Sequence, residues 1–175
     1  MLMIRTIRQS DYSNVSNLIR TTFANTVNGY RNEAELVDKI RDDPTYQKRL
    51  EVVAENGVHL IGHGLLSEIE VVDGAHTVTG LVLAPLAVAP DSQRSGVGSL
   101  IMGELDNRAI NLGYKFTIVT GWPDYYPRFG YRNASGYGIK SPTPVPDDVF
   151  MAKPLVDGGL DGVHGMVHYL QAFNM

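Results

Sequence analysis

Leu83-Ala84-Pro85-Leu86-Ala87-Val88-Ala89-Pro90-Asp91-Ser92-Gln93-Arg94-Ser95-Gly96-Val97-Gly98-Ser99-Leu100-Ile101 is the stretch on which the fold turns. It reads as an apolar strand, a short turn and two glycines that open into a helix. Val97, Ile101, Leu105, Ala109 and Leu112 recur in steps of four and three, so they share one helical face. Gly113 then stands where a helix ends in a left-handed residue. Free N–H groups at such a helix start converge and carry partial positive charge, and glycine lets a ligand approach the backbone. The expected product is an anion cradle for a phosphate or pyrophosphate.

Two familiar phosphate motifs do not fit. No lysine follows Gly98, as a P-loop requires, and Ile101 stands where a dinucleotide fingerprint has its third glycine. Upstream, Met3–Arg8 alternates as a first strand, and Ser10 or Asp11 caps a helix with a Val15, Leu18, Ile19 and Phe23 stripe. Asn32 with Glu35 forms a capping-box pattern ahead of a second helix through Leu36, Val37 and Ile40. Leu50–Glu55, Val58–Val72 and His76–Val88, joined at Asn56-Gly57 and Asp73-Gly74, predict an antiparallel meander. A bulge is expected where Gly62 and Gly64 flank His63.

Pro85 cannot donate to a ladder, so pairing must be interrupted or one-sided there. Either the strand is an edge, or it diverges from its neighbour and leaves a slot. Such a slot admits an amide-bearing arm as a pseudo-strand. Phe116–Thr120 follows the central helix as a strand, and Tyr125–Gly130 reads as one helical turn before another strand. Ser141–Pro146 is an extended connector, and Val149–Leu155 a closing strand.

The chain has 175 residues, net charge −4 and no cysteine. That length suits one core, the charge offers no field for nucleic acid or anionic lipid, and a cysteine nucleophile or thiolate metal site is excluded. With no apolar leader or spanning run, the expected location is cytoplasmic.

Gln93, Gly96 and Gly98 spell Gln-x-x-Gly-x-Gly after a strand ending Pro-Leu-Ala-Val, and Tyr126 precedes Gly130-Tyr131 by four residues. With the element order, this resembles the GNAT superfamily of N-acetyltransferases. Leu-x-Pro-Leu-Ala-Val-x-Pro from Leu83 and Tyr-Tyr-x-Arg-Phe-Gly-Tyr from Tyr125 are similar to its YhbS-like branch. Glu33 with Leu36, Val37 and Arg41, Phe150-Met151, and Gly165 through Tyr169 extend the likeness over nearly the whole chain.

The resemblance implies an α/β domain with a mixed, mostly antiparallel, V-splayed sheet flanked by helices. Residues 1–157 would form it, with 158–175 as a C-terminal extension packed on the same domain. It implies acyl transfer, from acetyl-CoA as co-substrate, to an amine of unnamed identity. Leu86, Ala87 and Val88 would meet the pantetheine through their backbone. Gln93, Arg94, Ser95, Gly96, Val97, Gly98 and Ser99 would hold the pyrophosphate. The Val88 N–H would polarise the thioester carbonyl.

Tyr126 would protonate the departing thiolate, with Tyr125 as alternate; a packing role for Tyr126 is the competing reading. The family's glutamate base has no counterpart in Leu81–Val88, which leaves Glu33, Glu68, Glu70 or water. Trp122 either lines the acceptor pocket or joins the core. No metal is expected: His164 and His168 lack a third ligand, and Asp157–Gly162 is too short for an EF-hand loop. A non-enzymatic acyl-CoA sensor would use the same cradle. No nucleic-acid or membrane partner is expected, and oligomeric state, a homodimer included, stays open.

Overall fold

The computed structural model describes residues 1–174. In chain order the elements are β1 (Leu2–Thr6), α1 (Tyr12–Ala24), α2 (Glu33–Arg41), β2 (Glu51–Asn56), β3 (His59–Asp73) and β4 (His76–Val88). There follow α3 (Val97–Asn111), β5 (Phe116–Thr120), β6 (Arg132–Asn133), β7 (Ile139–Lys140), β8 (Phe150–Pro154) and β9 (Gly165–Tyr169). Strands run β1-β2-β3-β4-β5-β8-β6 across the sheet, with β9 paired to β3 and β7. The meander pairs are antiparallel, while β4 and β5 are parallel across the α3 crossover. The sheet is mixed and mostly antiparallel, flanked by helices, as the resemblance implies.

Two layers cover the sheet. Leu66, Leu81 and Leu83 pack under α3 through Val97, Ile101 and Leu105. Val53, Leu65 and Ala87 pack under α1 and α2 through Val15, Ile19, Val37 and Ile40. The glycines of β3 explain how closely α3 sits. A methyl on Gly62 would come 2.7 Å from Ile101 Cδ1, and one on Gly64 2.6 Å from Ile101 Cγ2. The bulge expected around His63 falls two residues earlier, because Ile61 is the extra residue against β2; His63 itself pairs regularly with Val53 and Ala87.

Two other expectations need correction, and two open points are settled. Asn32 does precede α2, but it lies at φ 66° with no capping hydrogen bond. Glu35 is drawn instead to the Tyr30 hydroxyl and to Arg20, 3.1 Å away, so no capping box forms. Trp122 is not core: it is 60% exposed in the turn after β5. The strand expected at Val149–Leu155 forms at Phe150–Pro154, but it does not close the chain: it inserts between β5 and β6, and β9 follows it. His164 and His168 share no helix, since His168 lies in β9 and His164 precedes it, bonded to Asp73 at 2.7 Å.

Candidate active site

The site begins where β4 and β5 part. They pair only at Leu81–Thr117 and Val82–Ile118. Beyond Val82, β4 continues for six residues bonded to β3 alone, so its other edge opens into a V-shaped slot. Between Leu66↔Leu83 and Gly64↔Leu86, two residues of β4, Ala84 and Pro85, oppose Leu65 alone. A bulge at this point adds twist and turns β4 away from β5. Proline there forfeits no ladder bond on the open side.

At the head of the slot the chain makes the turn into α3. Arg94 at φ 65° and Gly96 at φ 86° both adopt left-handed backbone, so successive N–H groups curve toward one point ahead of the helix. Gln93 Nε2 donates to the Val88 carbonyl at 3.1 Å, and Ser95 Oγ to the Ser92 carbonyl, which fastens the turn to the end of β4. Thr22 of α1 also donates to the Val88 carbonyl, at 3.4 Å. A methyl on Gly96 meets nothing within 4 Å, so the concavity opens outward. This backbone fits a diphosphate.

The aromatic turn after β5 closes the slot from the far side. Tyr125 sends its hydroxyl to the start of α3, where a methyl on Gly98 would lie 2.6 Å from it. Arg128 stands 6.0 Å over the Tyr125 ring and adds a cation there. Tyr126 is buried against Gly121, edge-on to Tyr125 at 5.1 Å and to Tyr131 at 5.6 Å. Burial pushes its phenol well above the ordinary range. The phenol therefore stays protonated through neutral pH.

Among the sequence-picked residues, the slot gathers Leu86, Ala87, Val88 and the run Gln93–Ser99 at one end of β4, with the Tyr125–Tyr126 turn beside them. It does not gather the three glutamates. Glu68 accepts from the Tyr114 hydroxyl at 2.6 Å, opposite Leu81, where the sheet is still closed. Glu70 is exposed and sits opposite Thr79, further still from the slot. Glu33 accepts the Arg31 N–H at 2.7 Å.

A buried ionic group escaped the sequence reading. Glu51 and His63 are both 0% exposed, and His63 Nε2 lies 2.7 Å from Glu51 Oε2. Arg41 reaches both carboxylate oxygens at 3.0 and 2.6 Å, and the Tyr46 hydroxyl adds a bond of 2.6 Å. Arg41 stacks 3.8 Å over Tyr12. Nothing local marks these residues, because they come from α2, β2, β3 and a loop.

Desolvation alone would raise the Glu51 carboxyl, but the bonds from His63 and Arg41 outweigh it and hold it down at about 2. A carboxylate lowered on folding stabilises the protein above its ordinary value of 4.5, and that contribution is lost as pH falls toward about 2. Arg41→Met strands this buried charge and is expected to cost about 3–5 kcal/mol of unfolding free energy. Urea titration at neutral pH reads the loss, and a cost below about 1 kcal/mol would show the ion pair to be incidental.

Among the described residues, no group of three His, Asp or Glu side chains is placed to hold a metal ion, and no helix is long and apolar enough to cross a membrane.

A family model described as an acetyltransferase (GNAT) domain matches residues 3–134. The uncharacterized N-acetyltransferase YhbS of Escherichia coli K12 is 27% identical over 173 residues, 99% of each chain. The uncharacterized N-acetyltransferase YjhQ of the same strain is 29% identical over 121 residues, covering 69% of this chain and 67% of that one. The crystal structure of YhbS from Escherichia coli in complex with CoA superposes with a TM-score of 0.89 at 27% identity, over 99% of this chain and 92% of that one. A GNAT-family acetyltransferase from Brucella melitensis, crystallised with acetyl-CoA, shares the fold at a TM-score of 0.80 and 23% identity, over 99% and 98% of the two chains.

Proposed function

The chain belongs to the acetyltransferase (GNAT) family, and on that premise we propose that it transfers an acetyl group from acetyl-CoA to an amine by direct attack, without a covalent enzyme intermediate. The observation that carries this reading is the meeting of the unpaired β4 edge with the curved N–H groups at the start of α3. One end is shaped for an amide-bearing arm, the other for a diphosphate. That pair of shapes fits a CoA thioester better than a nucleotide. The similarity to a protein crystallised with CoA supports the same cofactor.

In this reading the backbone of Leu86, Ala87 and Val88 aligns the pantetheine, and the Val88 N–H faces the thioester oxygen as negative charge gathers on it. The amides from Arg94 to Ser99 hold the diphosphate, with Gln93 bracing the turn and the Arg94 side chain adding a cation. The acceptor nitrogen bonds to the acyl carbon, the carbon–sulfur bond breaks, and Tyr126 gives its proton to the departing sulfur. The proton shed by the new amide nitrogen restores the phenol. Residues 1–157 form the catalytic unit, the segment from 158 onward joins it through β9, and the protein works in the cytoplasm.

Calorimetric titration with acetyl-CoA, followed by thiol release against a panel of primary amines, tests the proposal. Saturable binding with thiol release on at least one amine is expected. Tight binding with no release on any amine would point to an acyl-CoA sensor.

A further inference from the structure

We propose that Lys153 is a positioning residue for acyl transfer: its buried pair with Asp106 seats Tyr131, and Tyr131 in turn holds Tyr126 at the slot. This rests on the acyl-transfer reading, in which Tyr126 is the proton donor, and names what keeps that phenol in place.

Lys153 lies in β8 and is only 8% exposed, a place where an ammonium is rarely found without a partner. Across the sheet it pairs with Thr117 of β5, and Thr117 pairs with Leu81 of β4. That row stands next to Val82–Ile118, the last pair before β4 and β5 part, so Lys153 sits level with the apex of the fork. Its Nζ donates to the Asp106 carboxylate of α3 and stands 4.9 Å over the Tyr131 ring. A methyl on Gly130 would come 3.2 Å from Lys153 Cδ, so the lysine stem lies against the end of the aromatic turn. Thr117 Oγ1 lies 3.5 Å from the Tyr131 hydroxyl on the same row. Tyr131, fully buried, then meets Tyr126 edge-on at 5.6 Å.

Three parts of the site converge on this one ammonium. They are α3, whose first turn carries the cradle amides, the sheet at the fork's apex, and the turn that carries Tyr126. The pair therefore fixes the donor relative to the cradle. Apolar side chains of similar volume commonly hold a core as well as a buried ion pair does. What the charged pair adds here is direction: Asp106 fixes the ammonium, and the ammonium fixes the face of Tyr131 by cation–π attraction. Tyr126 is held through ring contacts and its seat on Gly121, so a tilt of Tyr131 passes straight to it. A displacement of about 1 Å in a reacting group is enough to cost about 100-fold in rate.

The test is a kinetic cycle on the whole chain. Acetyl transfer to spermidine, tyramine and a lysine peptide is followed for wild type, Lys153→Met, Tyr126→Phe and the variant carrying both changes. Calorimetry reads acetyl-CoA affinity for each. Lys153→Met is expected to lower kcat about 30-fold and to leave acetyl-CoA affinity within about threefold of wild type. In the Tyr126→Phe background the same change should cost less than about threefold, because the group it positions is already gone. An equal loss in both backgrounds, an unchanged kcat in Lys153→Met, or a fall in acetyl-CoA affinity as large as the fall in kcat overturns the proposal. Should Lys153→Met alone not fold, Asp106→Asn with Lys153→Met takes its place, since that chain buries no lone charge, and the same pattern is expected. Failure of the wild-type chain to acetylate any of these amines, or full kcat in Tyr126→Phe, would instead overturn the reading on which the proposal rests, and both are measured before the Lys153 variants.

Discussion

Gly96→Glu is expected to weaken acetyl-CoA binding at least about 100-fold, roughly 2.8 kcal/mol, while the protein stays folded. Two physical effects act together. Gly96 lies at φ 86°, a conformation in which any side chain costs about 1–2 kcal/mol. The new carboxylate would also stand where α3 and the preceding turn direct their N–H groups, in the place meant for the diphosphate, so like charges meet. The site is suited to the test because a methyl there meets nothing within 4 Å, and the substitution leaves the core alone. Gly96→Ala separates the two effects, since it keeps the backbone cost and omits the charge. Calorimetry reads the affinities and thermal unfolding the fold. A dissociation constant for the glutamate variant within threefold of wild type would contradict the cradle.

Tyr126→Phe is expected to lower kcat for acetyl transfer about 100-fold or more, with acetyl-CoA affinity preserved. The ring keeps its edge contacts with Tyr125 and Tyr131, so packing changes little and the missing group is the proton. Burial raises the Tyr126 phenol, which favours its neutral form. The sign is that the donor stays loaded as pH rises, and it adds no alkaline loss of rate below about pH 10. Tyr125→Phe serves as the contrast. Its hydroxyl lies over Gly98 at the cradle, so the expected change is in acetyl-CoA affinity rather than kcat. Steady-state kinetics on one amine, with both variants side by side, distinguish the roles. Full kcat in Tyr126→Phe would remove the residue from the chemistry.

The parts of this architecture that were legible in the sequence are those set by neighbours in the chain. The α3 stripe, the left-handed Gly113 after it, the tight turns and the β5 segment all express local geometry, and they appear where the pattern places them. Pro85 announced a disturbance in β4, but only the pairing partners reveal that the extra residue lies at Ala84-Pro85 and that β5 leaves the strand after Val82. β9 went unread because its four-residue ladder with β3 joins positions far apart in the chain, and its Gly165 entry looks like loop. The failed capping box at Asn32 shows tertiary contacts overriding a local motif, since Tyr30 and Arg20 compete for Glu35. Within the candidate site, the glycine turn was readable and the Glu51–His63–Arg41 group was not. Its members look like isolated charges until the fold buries them together.

A crystal structure with acetyl-CoA bound is the decisive experiment. The diphosphate is expected against the backbone amides of residues 94–99 and the pantetheine along residues 86–88, inside the gap between β4 and β5. A cofactor seated elsewhere, or a β5 paired with β4 past Val82 in the complex, would contradict it.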